Sequence, residues 1–314
     1  MLKCSVIIPA YNEAENIFPL VEALSKSLSD SPRCSESEAG EYEVIIVDDG
    51  SIDKTFELSI QASKQYKFLK VVQHRRNLGK TQAIITGAKI SEGQYLLVFD
   101  ADLQYSPSDI PRFVQELDKG ADMCVGWKQG KYEKRFVSNI YNNLARKIFG
   151  LKNHDMNAMK AFRKELLMDI ISLRKDWHRY LVPLAKDKGY SITELKVQLY
   201  PRRAGEPKYQ SPFRVLIGLF DLLAIGFQIR IMRKPMFYLG LLGFFTMSLG
   251  VIVGIVALIL RFLGHGFRPL LYLVILLILA GLLIFGFGFI GESVAHLSER
   301  LERIEKEVQN KDQK

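Results

Sequence analysis

From Met236 to Leu260 the chain runs 25 residues without a charged side chain, and from Pro269 to Gly291 it runs another 23, with only Arg261 to Arg268 between them. A bilayer core of about 30 Å is crossed by about 20 apolar residues in a helix. At about 1.5 Å per residue the first run reaches roughly 37 Å, enough to cross with some tilt. The two runs are expected to form a transmembrane hairpin over 236–291. Helices buried in a soluble core are the rival reading, and runs of this length without a charge make it the weaker one. Arg230, Arg233 and Lys234 precede the first run, as cations do on a cytoplasmic flank, although Arg261 and Arg268 in the short loop blunt the asymmetry. No signal peptide is expected: the apolar run Val6 to Ala10 is short, and Asn12, Glu13 and Glu15 follow at once.

Lys and Arg exceed Asp and Glu by 43 − 34 = 9. Such a balance fits nucleic acid, anionic lipid or a phosphorylated substrate. The cations gather beside the first span and in Pro201 to Tyr209, which favours lipid and phosphate over nucleic acid. Cys4, Cys34 and Cys124 are odd in number and widely spaced, a pattern that fits neither a disulfide framework nor a zinc site. They read as reduced thiols of a cytosolic domain.

Upstream of the spans, apolar runs alternate with amphipathic segments. Val6 to Ile8, Val44 to Val47, Leu69 to Val72 and Leu96 to Phe99 read as strands. Glu13 to Leu28, Lys54 to Lys64 and Leu78 to Ile90 read as the crossover helices of an α/β, mostly parallel sheet. A strand at Asp122 to Gly126, helices at Arg135 to Phe149 and Lys164 to Leu173, and a strand at Ser191 to Leu199 complete a domain over 1–210. Residues 30–42 and Pro201 to Tyr209 read as polar surface loops. A juxtamembrane, interface-lying region is expected over 211–235, and a helical cytoplasmic tail over 292–314. In that tail Leu297, Leu301, Ile304 and Val308 make a short heptad seam able to pair with a second copy, but too short to specify a coiled coil.

The run Leu96-Leu97-Val98-Phe99 ends in Asp100-Ala101-Asp102-Leu103-Gln104. A buried strand delivers its carboxyl end to the crevice where open α/β sheets bind ligands. Acids at i and i+2 of an extended segment face the same way, so Asp100 and Asp102 could share a cation. An Asp-rich turn is the plain alternative, and this pattern alone does not exclude it.

Three further turns fall on the same expected sheet edge: Pro9-Ala10-Tyr11-Asn12-Glu13, Val47-Asp48-Asp49-Gly50-Ser51 and Arg76-Asn77-Leu78-Gly79-Lys80. In this order and spacing the chain resembles the inverting family-two glycosyltransferases of GT-A (Rossmann-like) fold. It is most similar to their polyprenyl-phosphate branch, the dolichol-phosphate mannose synthase-like enzymes. The resemblance covers residues 4 to about 210. It implies that Pro9, Tyr11, Glu13 and Asp48 or Asp49 hold the base and ribose of a nucleotide sugar, and that Asn77, Gly79 and Lys80 approach the donor. It further implies that Asp100 and Asp102, with Gln104 behind them, bind Mg²⁺ or Mn²⁺ against the diphosphate, the ion easing its departure.

On the acceptor side the resemblance covers Gly126 to Lys128, Lys134 to Asn142, Asn153 to Asp155, Asp176 to Tyr180 and Arg202 to Tyr209. A lipid phosphate is mostly dianionic at neutral pH and needs cations to orient it rather than a strong base. Lys128, Arg135, Ser138, Arg202, Arg203 and Lys208 are the groups expected to bind it, with Arg135 also counted catalytic. Asp155 is left between a turn role and the carboxylate that steers the acceptor. His178 reads as a packed histidine. The Lys-rich stretch Lys128 to Arg135 and the Glu206-Pro207-Lys208-Tyr209 ending depart from the usual family pattern. The Gln-x-x-Arg-Trp motif of processive synthases is absent. The expectation is a multi-pass membrane enzyme with its catalytic domain on the cytoplasmic side, moving one hexose from a nucleotide sugar, UDP-glucose before GDP-mannose, to a polyprenyl phosphate. Transfer to a hydroxyl of a glycan or glycolipid and a catalytically silent scaffold are the alternatives.

Overall fold

The computed structural model of the chain describes residues 2–29, 41–130, 135–170, 177–203, 213–266 and 268–312, without the side chains of 29, 135–138, 177, 213–216, 302 and 305–312. The chain divides into two compact units, Met1–Leu219 and Phe220–Lys314.

The first unit carries β1 (Cys4–Ala10), α1 (Ile17–Ser29), β2 (Tyr42–Asp48), α2 (Thr55–Gln65), β3 (Leu69–Gln73), α3 (Lys80–Ile90) and β4 (Tyr95–Val98). It continues with α4 (Ile110–Asp118), β5 (Met123–Gln129), α5 (Arg135–Phe149), β6 (Lys160–Arg163), α6 (Lys164–Asp169), α7 (Leu181–Asp187) and β7 (Ile192–Gln198). The sheet order is β3-β2-β1-β4-β6-β5-β7. β1, β2, β3 and β4 are mutually parallel, as are β5 and β7, while β6 runs antiparallel to both β4 and β5.

The strands that read as continuous apolar runs are those buried on both faces. Along β1 and β2, Val6, Ile8, Val44 and Ile46 pack in one core with Leu20, Val21 and Leu24 of α1 and Phe113 and Leu117 of α4. Ile45 and Val47 point the other way, against Ala83 of α3. Gly87 lets α3 lie close to the sheet, since a Cβ there would stand 2.6 Å from Ile7 Cγ2. The crossover after β3 therefore changes faces, and the strand order reverses between β1 and β4, the place where a doubly wound sheet opens a crevice at its carboxyl edge.

Several expected boundaries move. The first helix starts at Ile17, after a 3₁₀ turn at Ala14–Asn16. The third starts at Lys80, because Gly79 adopts φ 94° and belongs to the turn. β6 was not expected: Lys160-Ala161-Phe162-Arg163 opens and closes on cations and shows no strand alternation, yet its first three residues are buried. The Lys164 to Leu173 helix is seen as far as Asp169, and Cys34 and the loops 30–40 and 204–209 lie outside the described residues. Cys4 and Cys124 are free and buried.

The second unit holds the end of α8 (Phe213–Gly226), π turns at Phe227–Ile231 and Met236–Gly240, α9 (Leu241–Phe262) and α10 (Arg268–Asp312). Met236–Phe262 and Arg268–Leu301, whose most apolar 18-residue stretches have mean hydropathy 2.5 and 3.0, are long and apolar enough to cross a membrane. α9 and α10 pack through small residues. Gly243, Gly250 and Ala257, seven apart, are the buried positions of α9, and a Cβ on Gly243 would stand 2.6 Å from the Phe285 backbone nitrogen. Close backbone approach at small residues is the kind of packing that holds helices together in lipid. α10 passes the expected tail boundary at 291 without a break.

Candidate active site at the carboxyl edge of the sheet

Because β1, β2 and β4 are parallel, Pro9, Asp48 and Val98 bring their chain ends to one edge. The loops leaving that edge are tied to one another. Asn12 adopts a left-handed backbone, φ 52°. Its N–H donates to Ser51 Oγ at 2.9 Å, and its Oδ1 accepts from the Ile52 N–H at 3.0 Å. Leu103, φ 54°, is the other described non-glycine residue of this kind. A branched side chain is strained there, and it sits between Asp102 and Gln104, where the turn must be tight.

Asp48 and Asp49 are buried and occupied. Asp48 accepts from Ser51 and, at 3.1 Å, from Gln73 Nε2. Asp49 accepts from the backbone N–H groups of Leu78 and Gly79 at 2.9 and 2.8 Å, and from His74 Nδ1 at 2.8 Å. Its carboxylate thereby builds the turn that launches α3, and so sets where Lys80 begins.

Lys80 Nζ pairs with Asp100. Arg202, just beyond the last strand, places Nη2 2.9 Å from Asp102 Oδ2. The Gln104 N–H donates to Asp102 Oδ1 at 3.2 Å, and the Gln104 carbonyl accepts from the Tyr200 N–H at 2.9 Å. The D-A-D turn is thus gripped by α3 on one side and by the segment after β7 on the other. Burial pushes the Asp102 carboxyl up to about 6, helped by the Asp100 charge and opposed by Arg202. Burial works in the same direction on Asp100, but the Lys80 charge and hydrogen bond, with Lys128 and Lys160 behind them, hold it below the ordinary value.

Two carboxylates this close resist ionising together, which is the electrostatic setting in which a divalent cation is favourable. Among the described residues no cluster of three His, Cys, Asp or Glu side chains could enclose an ion. Two carboxylates on one turn fit a divalent ion such as Mg²⁺ or Mn²⁺, of the kind held by one or two carboxylates and completed by substrate phosphate oxygens and water.

One cavity of about 480 Å³ gathers Pro9, Tyr11, Glu13, Asp49, Asn77, Lys80, Asp100, Asp102, Gln104 and Arg202 on its walls. That volume falls in the range of small-ligand sites. Asp48 and Gly79 are not among its lining residues and act on its shape. Lys128 and Asp155 lie off the wall as a largely buried pair, Nζ 3.4 Å from Oδ2, and Asp155 also accepts from the Asn157 N–H. Arg203 is exposed. Arg135 and Ser138 lie on the first turn of α5, their side chains outside the described residues, and Lys208 lies wholly outside them.

Five polar wall residues were not among the site residues expected from sequence: Tyr105, Asn157, Lys160, His178 and Arg179, the last two within the segment Asp176 to Tyr180 that the resemblance covers. His178 is packed, with Nδ1 2.9 Å from Thr81 Oγ1. Lys160 had a readable signal, a lone cation inside the run Ala158-Met159-Lys160-Ala161-Phe162.

Residues 5–171 match the family described as glycosyl transferase family 2. The chain is similar, at 30% identity over 94% of its length and 88% of the relative's, to the dodecaprenyl-phosphate galacturonate synthase of Rhizobium johnstonii. At 28% identity over 93% and 85% it is similar to the undecaprenyl-phosphate 4-deoxy-4-formamido-L-arabinose transferase of Pseudomonas fluorescens. Among solved structures, glucosyl-3-phosphoglycerate synthase from Mycobacterium tuberculosis in complex with UDP has a TM-score of 0.55 at 20% identity, covering 73% of this chain and 80% of that one. Its complex with Mn²⁺, UDP-glucose and phosphoglyceric acid gives 0.54 at 18%, covering 73% and 79%. These structures share the fold of the first unit's sheet domain.

Proposed function

The chain belongs to glycosyl transferase family 2, and from that premise we propose that it transfers a single hexose from a nucleoside diphosphate sugar to a polyprenyl phosphate at the cytoplasmic face of a membrane. The observation that carries the reading is the doubly gripped D-A-D turn. Asp100 and Asp102 stand at the switch point of the sheet, each with a cation, on the wall of a cavity within the size range of small-ligand sites. The relatives of similar length named above are transferases to prenyl phosphates, and two membrane-length helices suit a lipid acceptor. The donor expected from the sequence is a UDP-hexose, UDP-glucose first and GDP-mannose next.

Tyr11, Glu13 and Asn77 line the donor end, where Asp49 holds the 77–79 turn in place. Lys80 and Arg202 present cations to the diphosphate from opposite sides of the turn. Asp100 and Asp102, with Gln104 behind them, would hold Mg²⁺ or Mn²⁺, which when bound offsets charge on the departing diphosphate. An acceptor phosphate oxygen attacks the anomeric carbon as the bond from that carbon to the diphosphate oxygen breaks. The bonding pair leaves with the nucleoside diphosphate, and configuration inverts in the single displacement. Lys128, Arg135, Arg203 and Lys208 would orient the acceptor phosphate without needing a base.

The test uses the full-length chain in detergent with radiolabelled UDP- and GDP-sugars, Mn²⁺ and undecaprenyl phosphate. A labelled, mild-acid-labile lipid from one donor is the expected product. No lipid-linked sugar from any donor would sink the reading.

A further inference from the structure

Lys160 opens the antiparallel strand β6, opposite Val98 of β4 in the register. The residue is 5% exposed and lies on the cavity wall. The ammonium donates to two main-chain carbonyls, Met156 at 2.9 Å and His178 at 3.3 Å. It forms no ion pair among the described residues. Asp155 and Asp100 act on it only from a distance, against Lys80 and Lys128. An ammonium has three donors, so two carbonyls leave one N–H to spend. Arg179, next in sequence to the residue that holds Lys160, lines the same cavity and likewise has no carboxylate partner among the described residues.

The cations of the cleft therefore divide. Lys80 and Arg202 stand against the two acidic residues expected at the diphosphate. Of the acceptor-side candidates, Lys128 and Arg203 do not line the cavity. Lys160 and Arg179 are left on its wall without an acidic partner among the described residues. A buried cation without a counter-ion is unfavourable, and burial indeed lowers the Lys160 ammonium to about 7. An anion supplied by the ligand would remove that penalty.

Resting on the glycosyltransferase reading above, we infer that Lys160 and Arg179 form an oxyanion seat for a carboxylate on the transferred sugar, so that the donor is a nucleotide-linked uronic acid rather than a neutral hexose. The same chemistry could be met by the acceptor phosphate, and the arms of the test separate the two. The relative from Rhizobium johnstonii is by name a galacturonate synthase, in keeping with a carboxylate-bearing sugar.

Calorimetric titration of the full-length protein in detergent with Mn²⁺ compares UDP alone, UDP-glucose with UDP-glucuronate, and UDP-galactose with UDP-galacturonate. The parent is expected to bind the acid of one pair at least about tenfold more tightly than its neutral partner, the worth of one charge-assisted hydrogen bond. Lys160→Met and Arg179→Met each abolish that ratio with UDP affinity within about twofold of the parent, and Lys160→Arg recovers part of it. If Lys160→Met does not fold, Arg179→Met decides alone. A parent that does not discriminate, or variants that keep the ratio, overturn the seat. Loss of farnesyl phosphate binding in both variants with the acid preference intact overturns the sugar assignment and gives the seat to the acceptor. A parent that fails to bind UDP at all contradicts the glycosyltransferase reading instead.

Discussion

Arg202 and Asp102 lie one hundred residues apart in sequence and 2.9 Å apart in space. The pair closes the far end of the sheet domain onto its central turn, through β7 and the Tyr200 to Gln104 hydrogen bond. Arg202→Met is expected to weaken UDP binding in the presence of Mn²⁺ by about tenfold or more, because a charge-assisted bond is lost and Asp102 is left buried without its partner. Arg202→Lys should lose less. Calorimetry measures both, and an unchanged affinity in the Met variant would reduce Arg202 to a purely architectural role.

Asp49 offers a test of how the donor end is built. Asp49→Ala leaves the Leu78 and Gly79 N–H groups and His74 without their acceptor, a loss of about 1–3 kcal/mol for each buried group. Lys80 then starts its helix from an unanchored turn. The expected result is a lower melting temperature together with a raised KM for the donor. Asp49→Asn, which keeps one acceptor oxygen, should fall between. A variant with lowered stability but parental KM would separate Asp49 from the positioning of Lys80.

The parts of this molecule legible in its sequence are those where one physical demand dominates. Val6 to Ile8 and Val44 to Val47 are apolar at every position because both sheet faces are covered, and the D-A-D turn stands out because acids follow such a run. The lost parts are those where two demands meet in one residue. Lys160 is a strand residue, a buried cation and a cavity wall at once, so no periodicity betrays β6. Asp49 looks like a ligand contact by type and spacing, yet much of its hydrogen bonding serves the backbone of a loop some thirty residues away, which only the register of β2 and β3 reveals. Arg202 was expected from sequence among the cations for the acceptor phosphate, and its pairing with Asp102 was not legible there.

Lys160 also predicts a pH signature in stability. Its ammonium is lowered from 10.5 to about 7 in the folded chain, so between those values the unfolded state binds the extra proton. Stability from this group is greatest above 10.5 and is lost as pH falls through about 7. Replacing it with Met removes the dependence. The melting temperature of Lys160→Met relative to the parent should therefore be higher at pH 7 than at pH 9. Thermal scans at the two values check it, and a difference independent of pH would mean the lysine is not electrostatically penalised.

In the second unit, Gly281 and Gly286 make a matched pair of probes. A Cβ on Gly281 would meet the Met247 backbone nitrogen at 2.7 Å, whereas one on Gly286 would meet nothing within 4 Å. Gly281→Ala is expected to force the helices apart and lower thermal stability in detergent, while Gly286→Ala does not lower it. Equal effects of the two would mean that the hairpin is not held through its small residues.

The sharpest division between acceptor classes falls on Asp155. Its carboxylate is 4% exposed, pairs with Lys128 at 3.4 Å and accepts from the Asn157 N–H at 2.9 Å. It is absent from the lining of the donor cavity. A hydroxyl acceptor would need a base to take its proton as the bond forms, and a mispositioned or missing base costs about 10²–10⁴ in rate. A phosphate acceptor arrives already ionised. Asp155→Asn keeps the shape and the Asn157 contact but frees Lys128 from its counter-charge. With a phosphate nucleophile, kcat should fall by less than about tenfold while the KM for polyprenyl phosphate shifts, since the change acts on Lys128. A loss of kcat of about 10³ with unchanged acceptor KM would instead make Asp155 the base and transfer to a hydroxyl the reaction.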